Sequence, residues 1–280
     1  MRVAKLKEKP WGLWTRQVLA VLRLEARKSF LGKRAIPIYL VAFLPVLLLG
    51  GRAVALLKWG GPADLAGAAT TFAVMFQGFI LRFIVFFGCA WIFTNLFRGE
   101  ILERSLHYYF LSPIQREVLV VAKFVSGLFA AAFFFVGAVA VSLVLLCVPD
   151  GASAALEQLL EGAGLGRSVA YLGITALACL AYGAVFLATS LFFRNPFIPA
   201  VAILGWESIN FLLPPALKKV SVYYYLVSLC PVQVSQGPFA LLSEPTPAWI
   251  SVPGLLALTA VVLLVAGYRI RRTEIIYGAE

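Results

Sequence analysis

Long apolar stretches separated by short polar segments dominate the hydropathy pattern of this chain. A helix needs about 20 apolar residues to cross a hydrocarbon core about 30 Å thick. Six stretches qualify, at residues 36–57, 72–97, 118–148, 168–193, 196–213 and 249–270. The pattern therefore predicts an all-α integral membrane protein with six transmembrane helices in a single domain.

The lengths of these spans and the breaks between them add detail. The third span is longer than a crossing requires, so we expect it to protrude from the membrane. Its helix is expected to start with Ser112 as N-cap, Pro113 as the first helical residue and Gln115 completing a capping box. The fifth span is the shortest, and only Arg194 and Asn195 separate it from the fourth. These two spans should form a tight hairpin at the membrane surface.

Residues 1–35 precede the first span and show the pattern of an amphipathic helix. Apart from Glu25, one helical face is apolar and carries Trp11, Trp14, Val18, Val21 and Leu22. The opposite face is basic and carries Arg16, Arg23, Arg27 and Lys28. This pattern predicts a helix lying in the membrane interface, with a cytosolic helix that packs on a partner as the alternative. We favour the interfacial helix because Pro37 and two preceding basic residues turn the chain directly into the first span.

The segment at residues 98–117, between the second and third spans, combines charge pairs with apolar side chains. Glu100 and Arg104 are four residues apart, as are Glu103 and His107, which predicts a short helix with charge pairs on one side. A solvated hairpin is the alternative, but it would expose apolar side chains at Leu102, Leu106, Tyr109 and Phe110. Such a surface indicates a partner protein.

Residues 214–248, between the fifth and sixth spans, are long for a loop and rich in proline. The apolar run at residues 220–229 is too short to cross the membrane. We therefore expect one or two broken, part-inserted helices on the outer side, forming a re-entrant-like hairpin before the last span. Tyr223, Tyr224 and Tyr225 would then lie in the outer aromatic belt.

Composition and charge exclude most soluble classes of protein. The chain is 61% hydrophobic and 13% charged, with a mean hydropathy of +0.91, whereas soluble chains are about half apolar and a quarter charged. A secreted disulfide scaffold, a disordered chain and an ordinary cytosolic enzyme are excluded. If the N-terminus is cytoplasmic, 18 of the 24 lysines and arginines lie inside and 5 outside. The positive-inside rule then predicts that both termini, including the tail at residues 271–280, are cytoplasmic, and no nucleic acid is needed to explain the net charge of +11.

Several kinds of catalytic and cofactor site lack the residues that they need. His107 is the only histidine, which excludes bis-histidine haem and three-histidine metal sites in one chain. The only aspartates, Asp64 and Asp150, lie in predicted outer loops, so an intramembrane aspartyl dyad is excluded. No G-x-x-x-x-G-K-[ST] motif is present, so this chain is not expected to bind ATP through a P-loop. The four cysteines form no C-x-x-C pair and are interpreted as small buried hydrophobes.

Polar side chains inside predicted spans are candidate functional residues, because they are costly to keep in a membrane. Glu207 and Asn210 lie three apart on one face of the fifth span. Gln77 and Arg82 lie five apart in the second span, on partly different faces of an α-helix. An internal ion pair between Glu207 and Arg82 is one interpretation. The other is that these residues line the path of a polar or amphiphilic substrate.

The layout of the chain and one segment of its sequence resemble the type-2 permease subunits of bacterial ATP-binding-cassette (ABC) exporters. The layout is a basic amphipathic N-terminal helix, six spans with both ends inside, and a broken hairpin before the last span. The segment reads E-x-x-E-R-S-L-x(5)-S-P-x-x-R-E-x(5)-K. It is carried by Glu100, Glu103, Arg104, Ser105, Leu106, Leu111, Ser112, Pro113, Arg116, Glu117 and Lys123. Family members often have Gly-Thr where Arg104 and Ser105 stand, so we expect the local turn to differ here.

This resemblance implies a function and a set of partners. Two permease copies would pair around a substrate path in a bacterial inner membrane, above two separate ATPase subunits that bind the ATP and magnesium. A coupling helix would contact each ATPase through Glu100, Glu103, Arg104, Leu106, His107, Tyr109 and Phe110. The N-terminal helix would be a connecting helix that touches membrane lipids and the ATPase, with Trp11, Trp14, Arg16, Arg23 and Arg27. The substrate path would involve Gln77, Arg82, Glu207 and Asn210.

Two other functions are compatible with a polytopic membrane protein. One is a membrane-embedded lipid-modifying enzyme with Glu207 or His107 as its base, although a second catalytic group at the same depth is missing. The other is an ion-coupled carrier or an assembly scaffold, although the chain shows no internal repeat at the residue level to support a carrier. The exporter interpretation differs from both because it predicts no catalysis by this chain alone.

Overall fold

The computed structural model of the protein describes residues 11–32, 35–60, 65–102, 111, 115–150, 162–193, 195–209, 217, 220–234 and 246–271. Within these ranges the regular structure is entirely helical. The α-helices are α1 Trp11–Leu31, α2 Ala35–Trp59, α3 Leu65–Met75, α4 Phe86–Leu102, α5 Arg116–Cys147, α6 Gly162–Phe192, α7 Phe197–Ile209, α8 Val222–Ser228 and α9 Ala248–Arg271. A π-helix, Phe76–Val85, joins α3 to α4, and a short 3₁₀ turn, Val148–Asp150, follows α5.

Five helices are long and apolar enough to cross a membrane: α2, the continuous helix Gly67–Ile101, α5, α6 and α9. They coincide with five of the six predicted spans and indicate a multi-pass membrane protein. The helix α7, which has 13 residues, occupies the position of the predicted fifth span. At about 1.5 Å per residue this helix is too short to cross by itself. Residues 210–213, the rest of that predicted span, lie outside the described residues.

The helices differ in how much of their surface the protein itself covers. About two thirds of the Gly67–Ile101 and α6 spans is buried, 61% and 67%, whereas only 22% of α2 and of α9 is buried. The two buried helices meet through aromatic side chains, with the Phe86 ring 5.2 Å from Tyr182 and 5.0 Å from Phe186. The exposed surfaces of α2 and α9 are rich in large apolar side chains. A membrane protein can leave such surfaces exposed because its solvent there is lipid.

Two glycines allow the central helices to approach closely. Gly88 of α4 lies directly against the ring of Phe135 in α5, and Gly183 of α6 lies against the ring of Phe93 in α4. A Cβ atom at either glycine would overlap the facing ring. These positions therefore hold glycine for packing rather than for backbone conformation.

Gly88→Ala is expected to lower the free energy of unfolding by about 1 to 3 kcal/mol, because the new methyl group must displace a buried ring. Gly137→Ala in α5 is the matched control, since nothing lies near its added Cβ. The measurement is denaturant unfolding of both variants in the same detergent. Equal stability of the two variants would contradict the close approach of α4 and α5.

The N-terminal helix α1 packs alongside α5 of the same chain. The Glu25 side chain of α1 reaches Lys123 of α5, and farther along the ring of Phe30 lies 5.1 Å from Phe133 and 5.0 Å from Phe134. The basic side chains predicted for the opposite face, Arg16, Arg23 and Arg27, are exposed. The side chains of Trp11 and Trp14 lie outside the described residues. The buried face of α1 is therefore covered, at least in part, by its own bundle.

The start of α5 differs from the sequence prediction. We expected the helix to begin at Ser112 and Pro113, whereas α5 begins at Arg116. Gln115 has an extended backbone, with φ −66° and ψ 133°, and its side chain makes no capping hydrogen bond. The predicted capping box therefore does not form, because an extended Gln115 cannot be part of a helix that runs through it. Ser112 and Pro113 themselves lie outside the described residues.

The four cysteines are all free and buried. This agrees with their interpretation as small apolar side chains. Cys230 follows α8, outside the long helices, and burial raises the pKa of its thiol to about 12. Such a thiol is almost wholly protonated at neutral pH and reacts slowly until it becomes exposed. Its reactivity therefore reports on local opening around α8.

Candidate functional site

Four charged side chains form a buried ionic cluster where α1, α4 and α5 meet. The Nζ atom of Lys123 lies 2.8 Å from Oε1 of Glu25 and 2.8 Å from Oε2 of Glu100. The Nζ atom of Lys28 lies 3.1 Å from Oε1 of Glu100 and 3.8 Å from Oε1 of Glu25. The cluster therefore consists of two cations and two carboxylates, and each cation contacts both carboxylates. Glu25 and Lys28 belong to α1, Glu100 to α4 and Lys123 to α5.

Burial is uneven across this ionic cluster. The side chain of Lys123 is 0% exposed, those of Glu25 and Glu100 are 5% and 2% exposed, and that of Lys28 is 43% exposed. Lys123 also donates to the carbonyl oxygen of Leu96 at 2.8 Å. Burial raises the pKa of the Glu25 carboxyl, and the charge of Lys123 acts in the opposite direction. A buried charge is tolerated when it is paired and hydrogen-bonded in this way.

The ionic cluster explains why Glu25 lies on the apolar face of α1, and it shows that Glu100 is buried. Glu25, the single charge on the apolar face of α1, is buried because Lys123 stands opposite it. Glu100 is the first residue of the predicted coupling surface, yet only 1% of it is exposed. It faces Lys28 and Lys123 within the bundle rather than an open surface. The other predicted coupling residues lie outside the described residues: Glu103, Arg104, Leu106, His107, Tyr109 and Phe110.

A second contact joins the start of α5 to the end of α9. The guanidinium of Arg116 donates to the carbonyl oxygens of Ile270 at 3.3 Å and Arg271 at 3.1 Å. Glu117 forms an ion pair with Arg271. Cations are favourable at a helix C-terminus, where the last carbonyl groups lack partners within the helix. The chain is thus fixed to neighbouring helices immediately after residues 103–114, as it is immediately before them.

A further polar group lies within the second span, at the π-helix Phe76–Val85. A π-helix bonds residue i to residue i+5, so it brings Gln77 and Arg82 towards one face, which an α-helix would not do. Gln77 donates to the carbonyl oxygen of Val232 at 2.7 Å. Arg82 donates to the carbonyl oxygen of Ser208 at 3.2 Å. Gln77 therefore contacts the segment after α8, and Arg82 contacts the last turn of α7.

Glu207 at the end of α7 binds the first turn of α8. Its carboxylate accepts hydrogen bonds from the hydroxyl of Ser221 and from the backbone N–H groups of Val222 at 3.1 Å and Tyr223 at 3.2 Å. The Ser221 hydroxyl accepts from the N–H of Tyr224 at 3.2 Å. These contacts give partners to the N–H groups that a helix leaves open at its start. Glu207 itself is 4% exposed.

The sequence interpretations of the intramembrane polar residues have different outcomes. In the part of the chain that the structure describes, Glu207 and Arg82 form no direct ion pair, because Glu207 binds α8 and Arg82 binds the backbone of Ser208. Gln77 binds the segment after α8 and Arg82 binds α7, and both residues contact Tyr223 of α8. Asn210 lies outside the described residues. A role in a substrate path stays a prediction for all four.

The sequence pattern did not reveal the roles of Lys123 and Tyr223. Lys123 is part of the motif between the second and third spans, but a single lysine in a long apolar span also indicates a buried partner of opposite charge. Glu25 carried the complementary signal, as a lone acid on an apolar face. Tyr223 was assigned to an aromatic belt, whereas its hydroxyl donates to the backbone carbonyl of Gln77 at 3.0 Å. Its ring also lies 5.6 Å from the guanidinium of Arg82.

Comparison with known proteins adds no assignment. Neither a scan of protein-family models nor a search of curated proteins finds a match to this sequence. Among the described residues, no group of three or more histidine, cysteine, aspartate or glutamate side chains comes together as a metal site. Function is therefore inferred from the ionic cluster, the contacts of α5 with α9, and the polar group around the π-helix.

Proposed function

We propose that this chain is the permease subunit of a type-2 ABC exporter in a bacterial inner membrane. Two copies would form the substrate path, and two separate ATPase subunits would bind ATP and magnesium. Both termini would be cytoplasmic, and the chain alone would catalyse no reaction. The five spans and the E-x-x-E-R-S-L segment of the sequence support this proposal.

The observation that carries the proposal is the ionic cluster beside the predicted coupling segment. In the sequence, that segment lies between α4, which ends at Leu102, and α5, which begins at Arg116. Just before it, Glu100 binds Lys28 of α1 and Lys123 of α5. Just after it, Arg116 binds the end of α9. A force applied to the segment would therefore reach four helices at once.

This connection suits a permease driven from outside the membrane. Packed helices joined by buried ion pairs move as rigid bodies rather than bend. ATP-driven closure of the ATPase pair would displace the coupling segments and, through these contacts, α1, α4, α5 and α9. The permease pair would then switch between inward-facing and outward-facing states.

The described contacts weigh against Glu207 as the base of a lipid-modifying enzyme. Its carboxylate accepts three hydrogen bonds and is buried beneath α8. A general base must lie within hydrogen-bond reach of the substrate proton, whereas Glu207 is only 4% exposed. Glu207 instead has the contacts of a structural acceptor.

The test of this function is copurification and ATP hydrolysis with a companion ABC ATPase encoded next to this chain. The chain alone is expected to hydrolyse no ATP. Replacing residues 103–110 by a Gly-Ser linker of equal length should reduce the copurified ATPase by about tenfold or more, since the coupling surface is removed. Replacing residues 153–160, in a predicted outer loop, is the matched control and should change nothing. Unchanged copurification and ATPase stimulation in the first variant would contradict the coupling assignment.

A further inference from the structure

Arg82 is a cation within a membrane span, and among the described residues no carboxylate contacts it directly. Among the described residues its guanidinium makes one hydrogen bond, to the backbone oxygen of Ser208. Its Nε atom is buried and has no hydrogen-bond partner there. A guanidinium carries five N–H donors. Most of the hydrogen-bonding capacity of Arg82 is therefore unused by the part of the chain that the structure describes.

Glu207 does not neutralise Arg82 by contact. It precedes Ser208 in the chain, and its charge and that of Arg82 interact only over a longer distance. Its oxygens instead accept hydrogen bonds from Ser221, Val222 and Tyr223. Charged side chains in membrane spans pair with other charges or with backbone carbonyls and mark the paths of substrates and ions.

Several apolar side chains close to Arg82 in the chain, or close to its partner Ser208, are exposed. Arg82 is itself partly exposed, and the next residue, Phe83, is 40% exposed. The rings of Phe79 and Phe83 lie 6.3 Å apart. The α7 residues Trp206 and Ile209, within two residues of Ser208, are 39% and 51% exposed. A ligand that reaches Arg82 from this surface would therefore meet one cation and several apolar side chains.

We propose that Arg82 binds the anionic head of an amphiphilic cargo, such as an alkyl or lipid phosphate, while the apolar side chains around it contact the hydrocarbon chain. The planar guanidinium binds oxyanions through paired N–H groups. The π-helix presents Arg82 towards α7, and Tyr223 and Ser208 hold the side chain in place. This assignment rests on the proposed function, because it names the substrate class of the same permease.

The test uses 11-bromoundecyl phosphate as probe and the full chain in an uncharged detergent. Bromine quenches tryptophan fluorescence at short range. The contribution of Trp206 is the difference in quenching between the unmodified protein and a Trp206→Phe variant. Saturable quenching of Trp206 is expected in the unmodified protein. Arg82→Gln should raise the Kd at least about tenfold, because a charge-assisted contact is lost, and Arg82→Lys should have a smaller effect. Arg52→Gln in α2 is the matched control and should bind as the unmodified protein does.

Three results would overturn the assignment. They are equal Kd values for Arg82→Gln and the unmodified protein, equal quenching by 11-bromoundecyl trimethylammonium, and full competition by inorganic phosphate at the same concentration as the probe. Thermal unfolding of each variant separates lost binding from lost structure, with Arg82→Lys as the variant that keeps the charge. The assay needs no ATPase. A negative result alongside intact ATPase copurification therefore removes the cargo assignment alone.

Discussion

Lys123→Met is expected to lower the free energy of unfolding by about 3 to 5 kcal/mol, because it leaves two buried carboxylates without their shared cation. The side chains of Glu25 and Glu100 are only 5% and 2% exposed, so water cannot replace the ammonium group. Lys28 contacts both carboxylates, but it is 43% exposed and its single positive charge can balance only one of the two negative charges. The measurement is denaturant unfolding in detergent, followed by circular dichroism.

The pH dependence of this loss has a defined sign. Burial already raises the pKa of Glu25 from its ordinary value of 4.5, and Lys123 is the main charge opposing the rise. A carboxyl whose pKa is higher in the folded than in the unfolded state loses stability as the pH rises through that interval. The defect of Lys123→Met should therefore be smaller at pH 5 than at pH 8.

Two further variants make the test specific to the buried charges. Lys28→Met removes the exposed cation and should cost about 0 to 1 kcal/mol. The triple variant Glu25→Gln, Glu100→Gln, Lys123→Met removes the buried charges together and should recover most of the stability lost in Lys123→Met. If the triple variant were as unstable as Lys123→Met, the loss would come from packing and the ionic cluster would not be the cause.

Glu207→Ala is expected to lower the free energy of unfolding by about 2 to 4 kcal/mol, since it leaves three donors at the start of α8 without an acceptor. It should also loosen α8 locally. Cys230 lies just after α8 and is 4% exposed, so its alkylation rate, read by mass spectrometry of its peptide, reports that loosening. We expect the rate to rise about tenfold or more, as about 1.4 kcal/mol of local destabilisation suffices.

Ser208→Ala is the matched control for Glu207→Ala. Ser208 is the next residue of α7, and its contact with Arg82 is made through its backbone oxygen, which the substitution keeps. The free energy of unfolding and the Cys230 alkylation rate of the Ser208→Ala variant should stay close to those of the unmodified protein. Glu207→Gln keeps an acceptor and should fall between the two. A Glu207→Ala variant with an unchanged alkylation rate would show that this carboxylate does not hold α8 in place.

The two polar sites lie at the two places where function is proposed. The ionic cluster binds together the helices beside the predicted coupling segment. The π-helix and Glu207 instead fix the broken region between α7 and α9. A permease needs both properties, a rigid connection to its ATPase and a defined cargo surface. Because the sites share no residue, their variants are expected to act independently.

The long spans could be predicted from the sequence because each depends on its own residues. A run of about 20 apolar side chains must form a helix in lipid, whatever its neighbours are. The five helices that are long and apolar enough to cross a membrane follow from this rule. The predicted span at residues 196–213 is not confirmed as a sixth, since its described part is the 13-residue α7, where Glu207 binds another segment of the chain.

The amphipathic pattern of α1 was also visible in the sequence, but its partner was not. Periodicity showed that Glu25 shares a face with apolar residues, and only the fold brings Lys123 to it from nearly one hundred positions away. The π-helix is a similar case. Its sequence is apolar like the rest of the span, so nothing local distinguishes i+5 from i+4 hydrogen bonding.

The sequence by itself determined that this protein is helical, lies in a membrane and carries a basic amphipathic N-terminal helix. Only the tertiary structure decided which charges meet, where α8 begins and which way Arg82 points. The physical reason is that transfer of an apolar segment into lipid is a property of that segment. The pairing of buried polar groups instead depends on which helices pack together.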